Sequence, residues 1–318
     1  MTPTILIVGA TGNTGVNTVH TLSTLLNSPA HPLSNHRILA LTRSTKTPTS
    51  TALSNLPSVE VIEKDWTTIT TSWLTSQHVT RAFIASHNLP SHFSDESSLL
   101  VALLHASVQY VVRISTTPEV VSAASKVYYA RAHWALETML ADADFKNMAW
   151  TSLQPNVFVG PYLGGPAAWV REYKNTGVQG KLGIILGEDD SVAILDAGDV
   201  GAIAGNLLAL RDVEEHNGKR YVIRGPENVS GKDVLEWVEE AAGTKVEEVV
   251  WRDTSMIKGL GEKGYPENVI ESIMCTCEPA WAGLCRTDVV PTSEEVVRLR
   301  APRGSAKEGF LALVKGEE

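Results

Sequence analysis

The run Gly9-Ala10-Thr11-Gly12-Asn13-Thr14-Gly15 constrains this chain more than any other stretch, because of its neighbours. Four apolar β-formers, Ile5-Leu6-Ile7-Val8, lead into it, and Val16, Val19, Leu22, Leu25 and Leu26 follow at helical spacing. A strand, a glycine turn and a helix in immediate succession are the context in which glycines mark a nucleotide site. The turn lets the backbone approach a pyrophosphate, which then sits on the free N–H groups of the helix N-terminus. The spacing is G-x-x-G-x-x-G rather than G-x-G-x-x-G, which points to a particular branch of dinucleotide-binding proteins. The plain alternative, a glycine turn that merely starts a helix, does not explain these flanks.

Further β-rich runs alternate with helical patterns: RILALT (37–42), VEVIE (59–63), AFIA (82–85) and VQYVVRI (108–114). A helix with Leu99, Leu100, Leu103 and Leu104 inside, and Ser94 as its N-cap, separates the last two. Such alternation predicts an α/β fold with a doubly wound parallel sheet. The segments 27–36 and 44–58, rich in Ser, Thr and Pro, are expected to be exposed loops. After residue 155 the pattern changes to glycine-rich stretches, short strands and helices, with Asp199 expected to cap one helix and Ser230 another. Residues 1–155 are therefore expected to form the dinucleotide-binding domain. Residues 156–318 mainly form a smaller substrate-covering lobe, with a part near 194–225, including a strand at 221–223, returning to the sheet.

Composition narrows the function. A formal charge of -9 speaks against binding a nucleic-acid backbone, which normally needs a basic face. No basic and apolar leader precedes the first strand, and no apolar run approaches the about 18 residues of a membrane span. Cys275, Cys277 and Cys285 are too few and too clustered for a disulfide framework, and lack the partners of a metal site. A reduced, cytoplasmic setting with a small-molecule substrate is expected, without metal, membrane or nucleic acid. A homodimer is compatible with this reading.

The end of the second strand, Leu41-Thr42-Arg43-Ser44, carries no acid to accept ribose hydroxyls. Arg43, with Lys46 nearby, instead offers a guanidinium that matches a 2′-phosphate, so NADP(H) is the expected cofactor. Asp65 and Trp66 follow the third strand on the adenine side, and Ser86 follows the fourth, near the central phosphates or the nicotinamide ribose. Ser115 ends the fifth strand, where ligands bind in such sheets. Ordinary short-chain dehydrogenases follow that serine with Tyr-x-x-x-Lys, the tyrosine giving a proton and the lysine lowering its pKa. Here Tyr128 is followed at four by Ala132, and Tyr129 by His133. His133 and Glu137 are four apart on one helix face, so Glu137 is expected to orient or charge His133. Arg113, a charge inside an apolar strand, needs a partner, because an unpaired buried charge is costly. Trp134 and Trp169 are aromatic candidates for the substrate side.

Taken together, GATGNTG (9–15), LTRS (41–44), AHWALETML (132–140) and LQPNVF (153–158) make the chain resemble the NmrA-like branch of the atypical short-chain dehydrogenases. The His-x-x-x-Glu helix and the Leu-x-Pro-Asn strand look most like that branch's quinone oxidoreductases. Fainter echoes occur at 194–204, 217–227 and 300–310. The resemblance implies an extended Rossmann-type domain with a small C-terminal lobe and a cleft between them. It implies that Gly9, Thr11, Gly12, Asn13, Thr14 and Gly15 hold the pyrophosphate, and that Pro155 and Asn156 pass beside the nicotinamide. Phe158 follows on the substrate side, and His133 takes a position where many relatives carry lysine. The branch is functionally divided, and fold-level kinship does not choose within it. The expected activity is NADPH-dependent reduction of a small quinone- or enone-type carbonyl compound, with Ser115, Tyr129 or His133 meeting the developing oxyanion. The alternatives are an NADP(H)-sensing regulator with a protein partner, and a non-redox isomerase or cyclase of natural-product metabolism.

Overall fold

A computed structural model describes residues 2–316 of the chain. Its sheet begins with β1 (Thr4–Val8), β2 (Arg37–Thr42), β3 (Val59–Glu63), β4 (Val79–Ile84), β5 (Tyr110–Ile114) and β6 (Ala149–Pro155). Two short strands, β7 (Leu182–Ile184) and β8 (Ser191–Val192), precede β9 (Lys219–Ile223), which joins the same sheet beside β6. The order is β3-β2-β1-β4-β5-β6-β9, parallel throughout. The order reverses between β1 and β4, and the carboxyl ends of the strands at such a reversal form a ligand crevice.

Helices cover both faces, as a doubly wound sheet requires. They are α1 (Gly15–Leu26), α2 (Pro48–Ser54), α3 (Thr71–Ser76), α4 (His92–His105), α5 (Tyr128–Leu140), α6 (Val159–Thr176), α7 (Ala197–Ala209) and α8 (Gly231–Ala242), followed by shorter C-terminal ones. Alternation along β1 feeds two cores. Ile5 and Ile7 pack with Val19 and Leu22 of α1 and with Ile203 and Leu207 of α7. Leu6 and Val8 pack with Leu99, Leu100 and Leu103 of α4 and with Leu136 of α5. A third core lies in the C-terminal lobe, where Leu163 and Val170 of α6 meet Val234, Val238 and Phe310. β10 (Val229–Ser230) pairs with β8, and β11 (Val249–Trp251) with β7, bracing that lobe. Among the described residues, no helix is long and apolar enough to cross a membrane.

Three local expectations are corrected. The segment 44–58 is not all loop: Thr47 caps α2 by accepting from the Ser50 N–H, and Pro48 occupies its first position, where a missing N–H costs nothing. The leucine helix α4 begins at His92, before Ser94, with Ser91 at the N-cap position. The cap of α7 is Asp196, whose side chain accepts from Gly198. Asp199 lies inside the first turn, and its carboxylate instead accepts from the Arg303 and Gly304 N–H groups, tying down the C-terminal segment. By contrast Ser230 and Asp233 form the reciprocal capping box of α8.

Candidate active site at the carboxyl edge of the sheet

The turn after β1 is built so that only glycine fits at two places. Gly9 has φ +78°, and a Cβ there would stand 2.6 Å from the Ala85 carbonyl oxygen at the end of β4. A Cβ on Gly15 would stand 2.0 Å from the Gly9 carbonyl oxygen, because the helix start folds back onto the turn. The Gly12 N–H closes the turn onto the Gly9 carbonyl at 3.0 Å. The Val16 N–H donates to the Gly12 carbonyl at 3.1 Å, so the turn runs directly into α1, beside the crevice between β1 and β4 where such folds bind a ligand.

Above this turn runs a cleft of about 640 Å³. Gly9, Thr11, Gly12, Asn13 and Thr14 form one end, with Arg43, Lys64 and Trp66 beside them. Ser86, Ser115, Tyr129, His133, Pro155, Asn156 and Phe158 line the other parts, with Val120, Pro161, Tyr162 and Thr276. Three buried polar atoms of lining residues have no hydrogen-bond partner among the described residues: Ser115 Oγ, His133 Nε2 and Asn156 Oδ1. Asn156 is fixed in orientation, since its Nδ2 donates to the Ala193 and Cys285 carbonyls at 2.6 and 2.9 Å. Buried polar atoms are normally paired, so three unmatched ones in one cleft indicate a ligand site.

Arg113 explains the state of His133. The guanidinium is fully buried and donates from Nε to Glu96 Oε1 at 2.6 Å, from Nη1 to Ser152 Oγ at 3.1 Å, and from Nη2 to His133 Nδ1 at 2.9 Å. Guanidinium is only a donor, so His133 Nδ1 accepts and Nε2 carries the hydrogen. Burial pushes the His133 imidazole well below its usual pKa, and the charge of Arg113 pushes it further, so the ring is a neutral donor. For Glu96, burial acts to raise the carboxyl pKa, but Arg113 and the His92 hydrogen bond outweigh it and hold the group well below the carboxylate range. Burial raises the Tyr129 phenol, which stays protonated.

Several sequence expectations are corrected by placement. Glu137 does not touch His133; it turns away, accepting from Ser152 at 2.7 Å, Gln154 and Arg220 at 2.9 Å, because these neighbours on β6 and β9 already offer donors. The Lys46 side chain is exposed and not part of the cleft wall. Asp65 also lies outside it, its carboxylate committed to the N–H and hydroxyl of Thr67 at 2.9 and 2.8 Å. Gly15 lies beneath the turn, not in the cleft wall. Trp134 is 40% exposed on the outer face of α5, away from the cleft. Trp169 stacks on Tyr173, donates Nε1 to the Gly180 carbonyl, and lines a neighbouring cavity of 260 Å³ that shares Pro161 and Tyr162 with the cleft.

Sequence reasoning missed Lys64, which replaces Lys46 beside Arg43 and rests over the Trp73 ring at 5.1 Å. It also missed Glu96 and His92. The signal was present: His92–Glu96 repeats the i, i+4 spacing of His133–Glu137, and the buried Arg113 bonds to residues of both helices. Thr276, contributed by a distant segment, carried no local signal.

Among solved structures, an NADPH-dependent quinone oxidoreductase from Escherichia coli, complexed with NADPH, is similar: TM-score 0.71, 20% identity, covering 97% of this chain and 99% of that one. A triphenylmethane reductase from Citrobacter sp., complexed with NADP(H), gives TM-score 0.70 at 18% identity, covering 99% and 100%. The negative transcriptional regulator NmrA gives 0.67 at 14%, covering 100% and 97%. At these identities the likeness shows the fold. A curated relative, an NAD(P)H azoreductase from Xenophilus azovorans, is 26% identical over 198 residues, 61% of this chain; the match spans 63% of that relative's length. With residues 1–279 matched by the model of the NmrA-like family, the chain belongs to that family.

Proposed function

We propose that the protein is an NADPH-dependent reductase of a small conjugated or aromatic carbonyl compound, of the quinone or enone type. The observation that carries this reading is the set of unmatched atoms in one cleft: donors on Ser115 and His133, and an acceptor on Asn156. Thr11, Gly12, Asn13 and Thr14 hold the pyrophosphate of NADP(H) at the start of α1, and Gly9 and Gly15 permit the turn. Arg43, with Lys64, meets the 2′-phosphate, Trp66 borders the adenine, and Pro155 and Asn156 flank the nicotinamide. The bound cofactor supplies a hydride.

The protein's part is to place the acceptor and to stabilise charge. Ser115 O–H and His133 Nε2–H donate to the oxygen that becomes negative, as buried, preorganised donors. Tyr129 and His133 are both poor proton donors near neutrality, the first because burial raises its phenol and the second because it is already neutral. With neither side chain a ready acid, the one proton needed beyond the hydride would come from solvent. A quinone suits such a site, because its reduced form is a phenolate that needs no proton in the transition state. Steady-state NADPH oxidation with a panel of quinones and enones tests the reading: turnover supports it, and cofactor binding without turnover overturns it.

A second reading, an NADP(H)-sensing regulator, is favoured by the same lack of a Tyr-x-x-x-Lys pair, with Ala132 and His133 at the two lysine positions. Its mark is capture of a protein partner that differs between NADPH and NADP+. Identical capture in both states sinks it.

A further inference from the structure

The cleft has a buried layer beneath it that links its two halves. Ser86, at the end of β4, donates to Glu96 Oε2 at 2.6 Å, and His92 Nε2 lies 2.8 Å from the same oxygen. The other oxygen of Glu96 receives Arg113 Nε, and Arg113 Nη2 reaches His133. Three hydrogen bonds thus run from Ser86 to the His133 imidazole, two residues that both line the cleft. Glu96, Arg113 and His92 are buried to within 1% of fully, so the layer is dry.

We propose that Glu96 and Arg113 are positioning residues, which hold His133 in the single tautomer that presents Nε2–H to the ligand. Which ring nitrogen of a histidine carries the hydrogen is set by the bond that the other nitrogen makes. Among the described residues the donor on His133 Nδ1 is Arg113, and the guanidinium is held in its plane by Glu96 through Nε and by Ser152 through Nη1. Glu137 stands 3.8 Å from Nη1 and is the competing acid. Without Glu96, the guanidinium swings toward Glu137 and leaves Nδ1, so His133 samples both tautomers. The His92 ring, 4.6 Å away and edge-on, and the Tyr129 ring at 6.4 Å pack against the imidazole without bonding to Nδ1. A misplaced hydrogen turns the intended donor into a lone pair facing a developing oxyanion. The consequence for turnover rests on the proposed reductase reading; the tautomer itself does not.

The test is a long-range proton–nitrogen correlation spectrum of the full-length protein labelled at its histidines, with His133 assigned by comparison with His133→Asn. Wild type is expected to show His133 as one neutral species protonated at Nε2. The double variant Glu96→Gln/Arg113→Met, which removes both charges together so that neither is left unpaired, is expected to show a mixture of tautomers. Its kcat for an accepted quinone is expected to fall on the order of 100-fold, while NADPH binding changes by less than about threefold. A wild-type His133 protonated at Nδ1, or already mixed, overturns the proposal without any variant. So does a folded double variant whose His133 remains purely Nε2–H. Absence of turnover in wild type beside the expected spectrum overturns the reductase reading and supports the positioning of His133.

Discussion

Arg113 and Glu96 meet at 2.6 Å with neither side chain exposed, one from the penultimate position of β5 and the other from α4. Taking both charges out of water is costly, and their attraction offsets this only while both are present. Arg113→Met alone is therefore expected to destabilise the protein by about 3–5 kcal/mol, because it strands the Glu96 carboxylate. Adding Glu96→Gln is expected to restore much of that loss. Urea denaturation midpoints of the single and double variants check this; equal midpoints contradict it.

The turn after β1 has a similarly sharp requirement. Gly15→Ala places a Cβ 2.0 Å from a backbone oxygen that has no room to move. The turn is expected to shift, weakening NADPH binding at least tenfold and lowering stability by about 1–3 kcal/mol, the usual range for overpacking. Calorimetric titration and thermal melting read the two effects separately.

Cofactor choice is expected to depend on Arg43 more than on Lys64, whose ammonium rests over Trp73. Arg43→Ala removes a charged hydrogen-bond donor worth about 1.5–3 kcal/mol, so the affinity for NADPH should fall on the order of 10- to 100-fold. NADH binding should stay within a few-fold. A parallel loss for both cofactors counts against Arg43 as the reader of the 2′-phosphate.

Stability should decline as the solution is acidified. The folded pKa of His133 is depressed, so its contribution is present above the unfolded value of about 6.5 and is lost as pH falls from there toward the folded value. Glu96 has the same sign with a lower window, beginning near about 4.3 and ending at its depressed folded value. Each such group contributes a slope of up to about 1.4 kcal/mol per pH unit within its window. His36 and His216 are also lowered by burial and add to the upper window. Denaturation at pH 5, 6 and 8 (about these values) should show the decline. His133→Asn should flatten the part above pH 5 (about).

Two substitutions separate the cleft from the outer face of α5. Ser115→Ala removes an unmatched hydroxyl from the cleft and is expected to lower kcat on the order of 10- to 100-fold. Trp134→Ala, on the exposed face, should leave kcat unchanged and stability within about 0.5 kcal/mol. Equal effects on kcat in the two variants contradict this division.

The dinucleotide fold was legible in the chain because its signals are local. An apolar run, a glycine turn and a periodic helix lie within residues 5–26, and β2 and β3 stand where their runs predicted them. Gly9, Gly12, Arg43, Ser115, Asn156 and Phe158 reach one cleft because parallel strands deliver their carboxyl ends to one edge, and α5 brings His133 to the same cleft.

What only the tertiary structure decided is which polar groups meet. On α5 the four-residue spacing allowed Glu137 to reach His133, yet donors on β6 and β9 took the carboxylate instead. The histidine received its partner from β5, and the acid behind that partner came from α4, 37 residues earlier in the chain than His133. The helix α6, with Gly160, Gly164, Gly165 and Pro166, also goes against its own propensities and is held by its buried face in the lobe core. Hydrogen-bond partners and packing faces depend on through-space competition among distant segments, which spacing along the chain does not encode. The glycine turn was set by local sterics, whereas the state of His133 was set by an arginine twenty residues away.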